Sequence, residues 1–265
     1  MKVFKVLLTM VLSFSLFGCG SSSSNGDGAL IEEGILKVGV AAEYPPFEYM
    51  AEDGVTPMGF DIDLANAIGE KLGVEVQFVN TAWDGIFDGL NTNRYDVVIS
   101  GVTVTEERQG QMNFSDEYLG NAQAIVTLAD DTTVSSFEDL DGLKVGYQAE
   151  TTSDVALTKF IEENSGMSIS VSEYDMVMNA YADLASKRVD AVVSDSLVAV
   201  DYLKDAKYRL AFQGPAEELI AVALKQGNED LTAQVNDALT QLYDDGTLVE
   251  LSNTWFGIDV VSSVR

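Results

Sequence analysis

Short apolar runs alternate with stretches in which apolar residues recur every third or fourth position, from Ile35 to Asp244. The short runs, at residues 35–40, 74–79, 97–99, 144–148, 169–172, 189–193 and 220–224, have the length and β-branched content of buried strands. Helical periodicity fills residues 153–163, 176–187, 195–204 and 229–244. A further helix places Leu64, Ala65, Ile68 and Leu72 on one face, with Asp61 as its expected N-cap and Gly73 as its stop. Strands alternating with helices predict an α/β fold with mainly parallel sheets.

One strand exit holds an unusual charge. After Val97-Val98-Ile99 comes Ser100-Gly101-Val102-Thr103-Val104-Thr105-Glu106-Glu107-Arg108, where Thr105 reads as an N-cap and the two glutamates suit the first turn of a helix. Arg108 falls at the third helical position, where the macrodipole disfavours a cation by roughly 0.3–1 kcal/mol. A solvated arginine beside Glu106 and Glu107 is the ordinary reading. The chemical one is an anion held over the strand end, beside backbone N–H groups and the Thr103 hydroxyl, because a guanidinium grips a carboxylate with two parallel hydrogen bonds.

A near-repeat gives this segment a counterpart. Arg94-Tyr95-Asp96-Val97-Val98-Ile99-Ser100-Gly101 is echoed by Arg188-Val189-Asp190-Ala191-Val192-Val193-Ser194-Asp195. Two lobes of similar design follow, and ligands of α/β sheets gather at the carboxyl ends of strands. One lobe then delivers Ser100 to Arg108 and the other Ser194-Asp195. A cation facing an anion across a cleft suits a zwitterion.

Composition narrows the chemistry. The 265 residues suit one large or two small domains, and 46% hydrophobic residues are ample for packed cores. Fifteen Lys+Arg against 43 Asp+Glu give a net charge of −28, with no basic cluster in the body of the chain, so nucleic acid is a poor partner. There is no histidine and one cysteine, Cys19, which removes Ser-His-Asp and Cys-His catalysis, the usual zinc sites and an internal disulfide. No cofactor is expected. Lys2 and Lys5 precede an apolar run over residues 6–17, a secretory-signal layout too short for the roughly 20 residues of a membrane span. Leu16-Phe17-Gly18-Cys19 resembles a bacterial lipobox, which implies a signal peptide over 1–18, lipidation at Cys19 and a flexible tether over 19–33.

From Gly34 to Ile258 the chain resembles the solute-binding proteins of bacterial ABC transporters for polar amino acids (family 3). The resemblance rests on Tyr44-Pro45-Pro46-Phe47-Glu48-Tyr49, Gly59-Phe60-Asp61-Ile62-Asp63-Leu64-Ala65, the Ile99 to Arg108 segment, Phe114-Ser115-Asp116, Arg188-Val189-Asp190-Ala191-Val192 and Trp255-Phe256-Gly257. It implies a two-lobed periplasmic-binding-protein-like fold of type II, with two parallel-dominated sheets joined by two hinge strands. Lobe 1 would comprise 34–118 and 219–258, and lobe 2 would comprise 119–218, with crossings near 118–122 and 216–220. It further implies an exported, lipid-anchored monomer that delivers an amino acid to an ABC permease.

By position, the resemblance gives Arg108 the ligand α-carboxylate, with Thr103, Thr152 and the Gly101 backbone helping. Asp195 would take the α-ammonium, aided by the backbone of Ser100, while Tyr44 and Trp83 would cover the ligand and Gln148 would reach in from lobe 2. Each has an ordinary structural explanation as well: Trp83 as core, Tyr44 as a rigid turn, Asp195, Asp84, Thr151 and Thr152 as helix caps. Glu43 beside Tyr44 offers an acid for a basic side chain, so arginine is expected ahead of lysine. Ala41 stands where several basic-ligand members carry an acid, which keeps neutral ligands such as glutamine or cysteine open. Glu150 replaces a usually small residue. Related folds include cyclohexadienyl-dehydratase-like enzymes, for which Glu150 or Glu173 would be the candidate acids, so fold alone does not separate receptor from enzyme. A membrane-receptor sensor domain would need a transmembrane segment in addition.

Overall fold

The computed structural model describes residues 30–264. The predicted signal peptide, Cys19 and most of the tether lie outside the described residues. In chain order the first strands are β1 (Ile35–Val40), β2 (Glu43–Tyr44), β3 (Glu48–Met50), β4 (Pro57–Met58), β5 (Glu75–Asn80), β6 (Val97–Val98) and β7 (Met112–Asn121). After them come β8 (Gln123–Leu128), β9 (Lys144–Gln148), β10 (Ser170–Tyr174), β11 (Ala191–Asp195), β12 (Tyr208–Gln213) and β13 (Glu218–Lys225). The helices are α1 (Phe60–Leu72), α2 (Ile86–Asn91), α3 (Glu106–Gln109), α4 (Thr152–Glu163), α5 (Val177–Ala185), α6 (Ser196–Tyr202), α7 (Glu229–Asp244) and α8 (Thr247–Phe256).

Two five-stranded sheets share one design. The first runs β5-β1-β6-β13-β7 and the second β10-β9-β11-β8-β12. In each, two strand pairings are parallel and two antiparallel, so the sheets are mixed rather than parallel-dominated. The antiparallel pairings come from the crossing strands, which read poorly as alternating βα units: β7 runs into β8 through Ala122 alone, and residues 214–217 link β12 back to β13. The near-repeat occupies equivalent places. β6 lies between parallel β1 and antiparallel β13, and β11 between parallel β9 and antiparallel β8. Both repeat exits therefore open at the same end of a central strand.

Helix α1 keeps the predicted apolar face, with Leu64, Ala65 and Ile68 fully buried, and ends at Gly73 in the left-handed region. Its N-cap is Gly59, not Asp61. Gly59 has φ 134°, and a Cβ there would stand 2.2 Å from the Phe47 carbonyl oxygen, so the turn requires glycine. Asp61 is instead a buried helical residue with work at the cleft. Residues 30–33, expected in the tether, belong to the first lobe: the Ile31 N–H donates to Asp96 Oδ1 at 2.7 Å, and Glu32 pairs with Lys37 at 2.8 Å. The same lobe continues past Ile258, since Val261 is buried and Gly120 N–H donates to the Val260 carbonyl. Among the described residues no helix is long and apolar enough to cross a membrane.

Candidate ligand-binding cleft

The residues singled out by sequence, Glu43 and Tyr44, Trp83, Ser100, Gly101, Thr103 and Arg108 from the first lobe and Gln148, Thr152 and Asp195 from the second, all line one cavity of about 380 Å³ including its mouth. Its floor is set by two buried acids. Glu48 on β3 accepts the Ser100 hydroxyl at 2.7 Å, and Ser100 Oγ in turn accepts the Ala41 N–H at 3.1 Å. Asp61 accepts the Gly101 N–H at 2.6 Å and the Tyr118 hydroxyl at 3.0 Å. Burial, and then the neighbouring Asp61, push Glu48 well above the usual carboxylate range; burial pushes Asp61 up to about 6. Both causes favour the protonated form of Glu48, whose Oε2 is buried without a hydrogen-bond partner among the described residues. One expectation changes here, because the Gly101 N–H is consumed by Asp61 and is not available to a ligand. Gly101 itself sits at φ 57°, with the Tyr44 ring 3.6 Å from where a Cβ would lie.

The cationic pole is built on the loop before α3. Thr105 caps that helix by accepting the Arg108 N–H at 3.2 Å, and Glu106 and Glu107 are exposed on its outer side. The Arg108 side chain turns the other way. Its Nη1 donates to the Thr103 carbonyl at 2.9 Å and Nη2 to the Glu150 carbonyl at 3.4 Å, while the Trp83 and Phe87 rings lie 5.4 and 5.2 Å from Cζ. Thr103 bridges Ile220 through the flanking Val104 and Ala221 amides, so its own N–H and C=O face away from β13. Desolvation lowers the Arg108 pKa, opposed first by the Asp195 charge. No carboxylate of the described residues lies within ion-pair distance of Arg108, which leaves guanidinium donors for an anion from outside.

The anionic pole is Asp195, the last residue of β11 and 3% exposed. Although it occupies the N-cap position of α6, its side chain makes no cap hydrogen bond. Instead Oδ2 accepts the Tyr44 hydroxyl at 2.7 Å across the cleft, and Oδ1 accepts Gln123 Nε2 at 3.2 Å. Burial raises its pKa, against the hydrogen bonds from Tyr44 and Gln123 and the field of Arg108. At the neighbouring helix start Thr151 is the cap of α4, accepting Asp154 N–H, which leaves Thr152 at the cavity wall.

Gln148 carries the most specific signal for a bound group. Its Nε2 donates to the Asp175 carbonyl at 3.0 Å, which fixes the amide orientation, since a flipped amide would set two acceptors face to face. Its Oε1 is then buried without a donor, in a side chain 7% exposed that lines the cavity. Glu43 lies on the same wall with its pKa raised by partial burial and by Asp175.

Glu150 adopts φ 60°; its side chain is exposed, and only its carbonyl reaches the site, accepting Trp83 Nε1 at 3.1 Å and Arg108 Nη2. Glu173 is exposed and accepts the Tyr147 hydroxyl at 3.0 Å. Neither acid lines the cavity. Asp84 is not a cap either, since Ala82 holds that position. Sequence reasoning missed Ala41, Glu48 and Thr151 as lining residues, and Phe87 beside Arg108. For Glu48 the available signal was a glutamate between aromatic residues in Phe47-Glu48-Tyr49.

The model of bacterial extracellular solute-binding proteins, family 3, matches residues 36–258. The chain belongs to this family. Among its relatives, the L-cystine-binding protein TcyJ of Escherichia coli (strain K12) is 37% identical over 257 residues, 94% of this chain and 94% of that protein. The arginine-binding extracellular protein ArtP of Bacillus subtilis (strain 168) is 30% identical over 260 residues, covering 95% and 96%. An ancestral arginine-binding protein bound to arginine superposes with a TM-score of 0.79 at 40% identity, covering 84% of this chain and 99% of that one. As a family 3 solute-binding protein the chain has the two-lobed type II architecture of that structure.

Proposed function

We propose that this solute-binding protein is an exported, monomeric receptor, anchored by lipid at Cys19, that binds a basic amino acid and delivers it to an ABC permease without catalysis. Arginine is the preferred ligand, ahead of lysine. Its α-carboxylate meets Arg108 and Thr103, with Thr152 completing the pole, and its α-ammonium meets Asp195 and the Ser100 carbonyl. Tyr44 and Trp83 cover its faces.

The observation that carries the reading is the donorless Gln148 Oε1. A buried acceptor left unsatisfied costs about 1–3 kcal/mol, so the cavity wall is suited to a ligand side chain rich in N–H donors. Glu43 beside it adds the charge that a guanidinium neutralises. The arginine-binding relatives agree; the cystine-binding one points to a neutral alternative.

A thermal-shift panel of the twenty amino acids and cystine, on refolded and ligand-stripped protein, tests the assignment. Ligand at a hundredfold excess over Kd adds about 2.7 kcal/mol, so arginine produces a clear shift. A shift with glutamine or cystine and none with arginine or lysine would remove the basic-ligand reading and leave the receptor. Incubation with prephenate or arogenate yields no aromatic product; turnover would restore the enzyme reading. Cys19→Ala moves the protein out of the membrane fraction, and retention there would contradict the anchor.

A further inference from the structure

Glu218 opens β13 and pairs in register with Asn121, the last residue of β7, so it stands where both chain crossings run side by side. Its carboxylate is largely withdrawn from water and fully engaged. Oε2 accepts Asn121 Nδ2 at 2.8 Å and the Thr152 hydroxyl at 3.4 Å, and Oε1 accepts Gln123 Nε2 at 2.8 Å. The other Gln123 amide proton lies between Asp195 Oδ1 and Thr152 Oγ1, each 3.2 Å from the nitrogen. The Gln123 oxygen accepts the Ser153 hydroxyl at 2.7 Å, so both ends of the amide are committed and it cannot turn over without losing them. One amide thus bridges two carboxylates that repel each other, one at the hinge and one at the anionic pole.

We propose that Glu218 is a positioning residue that ties the hinge strands to the ligand poles, holding Thr152 directly and orienting Asp195 through the Gln123 amide. It touches no ligand in this arrangement. Its carboxylate fixes Gln123, Gln123 holds Asp195 Oδ1, and Tyr44 holds Oδ2 from across the cleft. Hinge angle and pole geometry are therefore set by one hydrogen-bonded unit. The ionisable groups that feel Glu218 are Asp195 on β11, Arg108 on α3 and Tyr44 on β2. The negative charge also supports Arg108 in its charged form.

The inference rests on the reading of Thr152 and Asp195 as ligand groups, so its test has one arm that needs no ligand. Glu218→Gln keeps the shape, removes the charge and sets an NH₂ group against the donors at one of the two oxygen positions, Gln123 at one or Asn121 and Thr152 at the other. Calorimetry with L-arginine should give a Kd about 10- to 100-fold weaker than wild type, the range for a hydrogen bond to a charged group. The acid limb of log Kd against pH should become shallower by about one proton, because Glu218 no longer has to ionise. Glu217→Gln, the same charge change at the exposed neighbour, should leave both unchanged. Gln123→Leu should lose affinity comparably, and the double variant should be no worse than the weaker single one. In the ligand-free arm, scattering should give Glu218→Gln a larger radius of gyration than wild type. Affinity within threefold of wild type with an unchanged acid limb, or additive losses in the double variant, would overturn the proposal. If Glu218→Gln does not fold, unchanged affinity in Gln123→Leu would overturn it alone. If wild type ignores L-arginine, the ligand reading fails, and equal ligand-free radii would overturn the hinge role separately.

Discussion

Glu48→Gln should raise stability at neutral pH and leave it nearly unchanged in acid. Glu48 is fully buried between the Ser100 hydroxyl and Asp61, and burial together with Asp61 raises its pKa well above the ordinary 4.5. A raised folded-state pKa means that protonation favours the fold. The contribution is complete below 4.5 and declines as pH rises through that value toward the folded pKa. Between those two pKa values folding takes up a proton at Glu48 that the unfolded chain has released, and stability falls by about 1.4 kcal/mol per pH unit. Glutamine reproduces the neutral form, keeps an oxygen for Ser100, and has no proton to take up. Asp61, pushed up to about 6 beside it, adds its own decline and feels the substitution, so the comparison reads the two acids as a pair. Urea unfolding of both at pH 4.5, 6 and 7.5 measures it. Curves that stay parallel across that range would refute a neutral Glu48 beneath the cleft.

Arg108→Met should abolish most amino-acid binding while the melting temperature stays near wild type. Loss of one partner of a buried charge pair costs about 3–5 kcal/mol, or some hundred- to several-thousand-fold in Kd by calorimetry. A change below threefold would return Arg108 to the solvated surface. Gly59→Ala should cost roughly 2–5 kcal/mol in chemical denaturation, from a left-handed φ and a Cβ overlapping the Phe47 carbonyl; near-wild-type stability would mean that this turn relaxes. Small-angle scattering should show compaction when ligand-stripped protein is saturated with arginine, as hinge closure requires. Identical curves would mean that the lobes are locked.

Local pattern made much of this molecule legible. Helix α7 falls on the residues its periodicity predicts, and Thr105 and Gly73 perform their capping roles, because caps and amphipathic faces are decided within one or two turns. The repeat located the two central strands, since both must be apolar on both faces. The antiparallel partners β8 and β12 and helix α8 were missed, and so was the mixed character of the sheets, because strand direction depends on where the crossings run. Asp61 was misread for a related reason. An acid near a helix start satisfies capping rules in sequence, and only the packed Tyr118 and Gly101 reveal its partners. Arg108 and Asp195 stood out through misplaced charge and repeat symmetry. Gln148 was reached only through the family resemblance and Glu218 not at all, because their meaning lies in neighbours 27 and 95 residues away in the chain.

On the proposed reading one amino acid spans the gap from Arg108 to Asp195 with its side chain against Glu43 and Gln148. Calorimetric titration of ligand-stripped protein with L-arginine and with agmatine, which has the same guanidinium and amine but no carboxylate, tests it most directly. L-Arginine should bind saturably and agmatine about a hundredfold or more weaker, since agmatine leaves Arg108 without its anion. Equal binding of the two, or no binding of L-arginine, would contradict it.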